Sequence, residues 1–187
     1  MKNTIIAQDR KDLKSLIKKE IKLNGLMCDL NHLDVSLVTN MSHLFQNSEF
    51  NGNISDWNVS RVTTMRDMFY SSHFNGDISK WNTSRVKSMN RMFTESRFNG
   101  DISRWDVSRV IEMNYMFGQT DGFNQDLSAW EPFSLKSKTD MFFDCSAPRP
   151  YWYSASDTQE ALKKIQLKYD LDAQLVTKDE SGIKVKI

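Results

Sequence analysis

The sequence predicts an α/β chain built as a solenoid of short parallel strands and helical turns, closed by a helical N-terminal cap and an α+β C-terminal cap. Three observations predict it. Trp57, Trp81, Trp105 and Trp130 recur at intervals of 24, 24 and 25 residues. Each interval holds about seven recurrent apolar positions, too few to enclose a core alone but enough to share one by stacking. The pattern also degrades at both ends, as a stack sealed against water requires.

One unit runs from Val62 through Met65, Met68-Phe69, Phe74-Asn75-Gly76-Asp77-Ile78-Ser79 and Trp81 to Ser84. The next holds Val86, Met89, Met92-Phe93, Phe98-Asn99-Gly100-Asp101-Ile102-Ser103 and Trp105. The preceding one holds Val38, Met41, Leu44-Phe45, Phe50-Asn51-Gly52, Ile54-Ser55 and Trp57. A fourth carries Val110, Met113, Met116-Phe117, Phe123-Asn124, Asp126-Leu127-Ser128 and Trp130, with one extra residue near Asp121-Gly122. Leu26, Leu30 and Leu33 stand for a partial copy upstream, and Leu135 with Met141-Phe142 for one downstream.

Stacking these copies aligns like side chains, so Trp57, Trp81, Trp105, Trp130, Phe69, Phe93 and Phe117 are expected in a common interior. The methionine column (Met41, Met65, Met89, Met113) fills the same core. The Met65/Met68-Phe69 spacing of three and four fits one inward-facing helical turn. Asn75-Gly76-Asp77 is turn chemistry. Ile78-Ser79-Lys80-Trp81 is β-favourable and bounded by turn residues, so it is expected as the short strand of each coil, stacking parallel at about 4.8 Å. Four full coils and two partial ones make a rod of about 25 Å.

The unit V-T-x-M-x-x-M-F…F-N-G-D-I-S-x-W-D/N-V-S resembles the repeat of BspA-type leucine-rich-repeat surface proteins, the group with the 24-residue "mycoplasma lipoprotein" repeat (DUF285-like). The resemblance spans about Leu26 to Phe142, two-thirds of the chain. It implies a leucine-rich-repeat-like fold that mediates attachment and protein–protein contact, with no catalytic residues to carry over. Many relatives are exported lipoproteins. Here neither a lipobox cysteine nor a signal peptide is read, because Met1–Arg10 turns polar before an apolar segment forms. Shorter relatives without export signals resemble proteins of enterobacterial mobile elements.

Three segments are expected: a cap at 1–25, the repeats at 26–146 and a second cap at 147–187. Asp9 suits the N-cap of an amphipathic helix through Leu13, Leu16, Ile17 and Ile21, with Lys11, Lys14, Lys18, Lys19 and Lys22 outside. Downstream, Ala147-Pro148-Arg149-Pro150 breaks the repeat. Asp157-Thr158-Gln159-Glu160 nearly makes a capping box for a helix through Leu162, Ile165 and Tyr169. The tail from Leu175 to Ile187 alternates as a hairpin does. Cys28 and Cys145 sit near opposite ends of the array and are read as reduced, which fits the cytoplasm.

Nothing in the sequence assembles a reaction centre. His32, His43 and His73 lack metal-type spacing. The Asn75/Asp77, Asn99/Asp101 and Asn124/Asp126 pairs are read as satisfying backbone groups rather than binding calcium. The expectation is a protein with no enzymatic activity, no cofactor and no metal. A net charge of +1 gives no bulk reason to expect nucleic acid, and no apolar run reaches membrane-spanning length.

If identity between copies is scaffolding, variation is choice of partner. Arg61, Arg85 and Arg109 form one basic column after the recurrent Ser, and Asp56, Lys80, Arg104 and Ala129 form a variable one. His43, Asp67, Arg91 and Tyr115 form a third, and Gln46, Tyr70, Thr94 and Gly118 a fourth. Arg61, Lys80, Arg85, Arg104, Arg109, Tyr70, Arg91 and Tyr115 are therefore the candidate contact residues for another protein with an acidic surface. The function expected is an interaction module, of the kind an inhibitor or immunity-type factor of a mobile element supplies. The alternative is a surface-exposed or secreted adhesin or effector that binds a host protein.

Overall fold

The computed structural model describes residues 4–120, 122–154, 163, 167, 176–178 and 184–186. The chain forms two compact units, Met1–Pro150 and Tyr151–Ile187. In the first, β1 (Ile5–Ile6) precedes α1 (Arg10–Asn24), and β2 (Leu33–Asp34) pairs with β1 in parallel, Ile5 opposite Leu33. The second contains α2 (Tyr151–Ser154) and the antiparallel pair β3 (Val176–Lys178) and β4 (Lys184–Lys186). The helix expected from Asp157 to Tyr169 lies outside the described residues, apart from Lys163 and Leu167, which are helical.

Helix α1 begins and ends by local chemistry. The Asp9 side chain accepts from the Asp12 amide at 2.9 Å, and the Gly25 amide, at φ 83°, donates to the Ile21 carbonyl. Leu13 and Ile17 are buried beneath it.

Between β2 and Cys145 the copies stack, and no regular element longer than a bridge occurs among the described residues. Parallel bridges link Asn40 to Thr64, Thr64 to Ser88, Ser88 to Glu112 and Glu112 to Ser137. Around them the amides of Met65, Asp67, Phe69 and Ser71 donate to the carbonyls of Ser88, Asn90, Met92 and Thr94 at 2.8–3.0 Å, one copy further on. The same four-rung ladder recurs at each step, always with the donor in the earlier copy. The ladder carbonyls of the first full copy, at Asn40, Ser42, Leu44 and Gln46, thus receive no such amide among the described residues. α1 meets this edge with cations: Arg10 Nη1 donates to Ser42 O at 3.1 Å and Lys14 Nζ to the neighbouring His43 O at 3.3 Å.

Two sequence expectations need correcting. The Ile78–Trp81 segment is not a strand; Ser79 and Lys80 lie in a tight turn, and the inter-copy bridge falls at Thr64 instead. The turn wins because the carboxylate of Asp77 accepts the Ser79 amide at 2.9 Å, which curls the backbone locally. The Met65–Phe69 segment is likewise a hydrogen-bonded turn rather than a helical one, with Asp67 at φ 53°. Its alternate amides, those of Met65, Asp67 and Phe69, point to the next copy, while Met68 N closes the turn on Met65 O.

Side chains stack as the backbone does. Phe45, Phe69, Phe93, Phe117 and Phe142 make one column at 5.5–5.8 Å between ring centroids. Phe50, Phe74, Phe98 and Phe123 make a second at 6.3–6.4 Å. Trp57, Trp81 and Trp105 stack nearly parallel at 6.4–6.5 Å, and Trp130 is buried with them. Offset pairs of this kind each add about 0.5–1.5 kcal/mol beyond simple burial.

Each indole also carries a polar contact. The Nε1–H of Trp57, Trp81, Trp105 and Trp130 donates to the carbonyl of Leu30, Ile54, Ile78 and Ile102, one copy back, at 2.9–3.2 Å. The glycine column serves close approach rather than a left-handed turn. A Cβ on Gly76 would sit 2.9 Å from the Phe74 ring and 3.3 Å from the Gly52 carbonyl; one on Gly52 would strike the Cys28 carbonyl at 2.0 Å.

Trp81→Phe keeps an aromatic in the column but removes the indole bond to the Ile54 carbonyl, which retains the Trp57 amide at 3.2 Å, so it should cost about 0.5–1.5 kcal/mol in chemical denaturation. Trp81→Ala should cost about 3–5 kcal/mol.

Candidate partner-binding surface

The variable column His43, Asp67, Arg91 and Tyr115 has a backbone property invisible in the sequence. All four residues lie in the left-handed region, at φ 61°, 53°, 52° and 54°, and Asp140 extends the series at 51°. Four residues on, Asn47, Ser71, Glu95, Gln119 and Asp144 do the same at 48–57°. Asn and Asp tolerate this conformation, whereas Arg, Tyr and Glu pay about 1–2 kcal/mol each for it. The ladder holds them there, with Arg91 N donating to Asn114 O and Tyr115 N to Thr139 O, both at 2.9 Å.

Asp67 is the centre of charge on this column. Its carboxylate is fully buried and faces Arg91 Nε at 2.9 Å from Oδ1, Arg91 Nη2 at 3.3 Å and Arg66 Nε at 3.1 Å from Oδ2, with His43 Nδ1 at 3.8 Å. The guanidinium side chains stay about half exposed. Arg91 also lies over the Tyr70 ring, 5.8 Å from its centroid. Tyr70 Oη donates to Glu95 Oε1 at 2.8 Å, and that bond raises the phenol's pKa above its ordinary value. Tyr115 is held the same way by Asp140, with the same direction of shift.

The candidate residues therefore separate into two groups. Tyr70 and Arg91 come together and are anchored by Asp67 and Glu95, and Tyr115 is anchored one copy on. The other five are exposed. Lys80 and Arg104 sit near Asp77 and Asp101, where each helps hold the carboxyl down. Arg61, Arg85 and Arg109 have no ion pair among the described residues. Arg66 and Glu95 were missed from the sequence, because only stacking shows that one copy's carboxylate meets the next copy's cation.

The recurrent Asn and Asp residues are occupied with backbone. Asn75 N donates to Asn51 Oδ1 and Asn99 N to Asn75 Oδ1, both at 2.8 Å. Asp77 and Asp101 accept the Ser79 and Ser103 amides, which lowers their carboxyl pKa values; hydrogen bonds from Ser128 do the same for Asp126. Among the described residues no His, Cys, Asp or Glu cluster has metal-holding geometry. Beside the Gly122 insertion, Cys145 lines a depression with Thr120, Asp144, Ser146 and Arg149. Burial pushes its thiol pKa up, opposite to what activates a nucleophile.

Copies that bond to one another's backbone at a fixed interval define a tandem-repeat protein. The family model described as "Mycoplasma protein of unknown function, DUF285" matches residues 11–97 and 73–151, and the chain belongs to that family. No curated protein and no solved structure matches it.

Arg91→Met keeps the stem's packing but strips the buried Asp67 of its closest cation, and should lower stability by about 1–3 kcal/mol in urea titration. The lowered carboxyls of Asp77, Asp101 and Asp126 contribute stability that is present above the unfolded value near 3.8 and is lost as pH falls through the lower folded values. Asn53 already fills this role in an earlier copy, accepting from Ser55 N. Replacing the three Asp by Asn should therefore preserve folding at neutral pH and flatten the acid limb of a stability–pH profile.

Proposed function

We propose that the chain is a leucine-rich-repeat-like solenoid of the BspA type that acts, without catalysis or cofactor, as a protein–protein interaction module for an acidic protein surface. The observation that carries this reading is the column Arg61, Arg85 and Arg109, exposed and without counter-ion among the described residues. Two residues downstream the backbone is bonded copy to copy, Lys87 N to Thr63 O and Ile111 N to Lys87 O at 2.8 Å. The arginines thus step at roughly one strand spacing, about 4.8 Å. Like charges held so close repel one another, and an incoming row of carboxylates relieves that repulsion.

Lys80 and Arg104 widen the basic area, and Tyr70, Arg91 and Tyr115 supply anchored aromatic and guanidinium groups, the side chains that dominate protein interfaces. The action proposed is masking of a bacterial protein inside the cell, as an inhibitor or immunity-type factor of a mobile element does.

Charge reversal at Arg85, Arg104 and Arg109 to Glu touches no core contact, so the thermal melt should stay in place. Affinity capture from lysate of the producing cell, read by mass spectrometry, should yield an acidic protein with the native chain and lose it with the triple variant. Undiminished capture by the variant would remove the basic column from the function.

A further inference from the structure

The near-neutral net charge conceals a segregation. Helix α1 carries six basic residues against Asp12 and Glu20, a net +4; with the whole chain at +1, the remaining residues carry −3. Glu20 is buried and taken up by Asn24 Nδ2 at 2.9 Å and His32 Nε2 at 3.4 Å. The exposed side of the helix is therefore more positive still. Lys11, Lys14, Lys18 and Lys22 follow spacings of three, four and four, which makes one stripe about 16 Å long, turned about 120° around the helix from the buried Leu13 and Ile17. Lys19 flanks it, and all five lysines are exposed.

The stripe ends on apolar surface. Leu23 is 67 % exposed, Leu26 40 % and Met27 69 %. Leu26 and Met27 occupy the two corners of a tight turn closed by Cys28 N donating to Gly25 O at 3.3 Å. Turn corners ordinarily carry Gly, Pro, Asn, Asp or Ser, because they face water. Here a leucine and a methionine project beside a third apolar side chain and a row of ammonium groups. A basic stripe with an adjoining apolar tip matches the headgroup–acyl boundary of an anionic bilayer, where lysines meet lipid phosphate and carboxylate while the tip enters the acyl region. Flexible ammonium point charges suit diffuse headgroups better than directional pairing with one protein.

We propose that the exposed face of α1 with Leu23, Leu26 and Met27 is a peripheral docking surface for an anionic lipid membrane. No helix among the described residues is long and apolar enough to span one, so the contact is superficial. It is independent of the basic column Arg61, Arg85 and Arg109 and stands or falls separately.

The test is co-sedimentation of the full chain with vesicles of phosphatidylcholine alone and of phosphatidylcholine mixed with phosphatidylserine. The native chain should sediment only with the anionic vesicles. K11Q/K18Q/K22Q removes three lysines that make no described bond, and should weaken partitioning by about a hundred-fold, at about five-fold per charge. L23S/M27S should still bind at low salt but release at moderate salt, where the native chain holds on. Thermal melts of both variants should match the native chain, since neither touches the core. No binding to anionic vesicles, equal binding to neutral ones, or an unweakened lysine variant would overturn the proposal. Unchanged salt resistance of L23S/M27S would overturn insertion of the tip. Retention of a single-stranded oligonucleotide or of polyglutamate with vesicles left empty would overturn it in favour of that polymer.

Discussion

The requirement that governs this protein is that every inward or backbone-bonding group must meet its own counterpart one copy away. A 24-residue unit forms almost no regular structure by itself; its ladder amides are satisfied by carbonyls of the following copy, others by the preceding copy or by tight turns, and its indole by a carbonyl of the preceding one. Trp81 shows the constraint most directly. The ring stacks on Trp57 and Trp105, while its N–H reaches Ile54 O. A slip of one residue would place a polar group in the aromatic column and break the indole's bond to that carbonyl at the same time. Hydrophobic stacking and hydrogen-bond satisfaction thus enforce the same register.

That rule explains what could be read from residues alone. The buried positions were legible because burial imposes a residue type at each interval: Phe69, Phe93, Phe117 and the four tryptophans are all nearly inaccessible. Secondary structure was less legible. Ile78–Trp81 has β-favourable composition, but an Asp side chain closing on the Ser79 amide overrode it. The left-handed backbone at Asp67, Arg91 and Tyr115 was hidden because two of those three residue types give no hint of positive φ. Only the ladder, a product of stacking, enforces it.

The candidate surface was legible as a set of variable positions but not as a set of contacts. Tyr70 and Arg91 stand 21 residues apart in sequence, and their pairing over Asp67 needs the coil-to-coil offset. The same offset creates the Tyr70–Glu95 bond. Net charge was the least informative quantity. It averages a strongly basic helix against a mildly acidic remainder and so describes neither.

The ladder's single direction has a last consequence. Because the donors of this four-rung ladder lie in the earlier copy, its two ends are chemically unlike: the first copy offers ladder carbonyls, and Arg10 answers one of them at Ser42. An interior unit needs no such answer, since its neighbours are interchangeable with it. Whole units can therefore be gained by duplication or lost by deletion without redesigning either terminus, whereas a residue removed from within the bonded ladder cannot be absorbed; the one extra residue near Gly122 falls after the ladder's last rung at Gln119. Array length is open to evolutionary drift, and the phase of the array is locked.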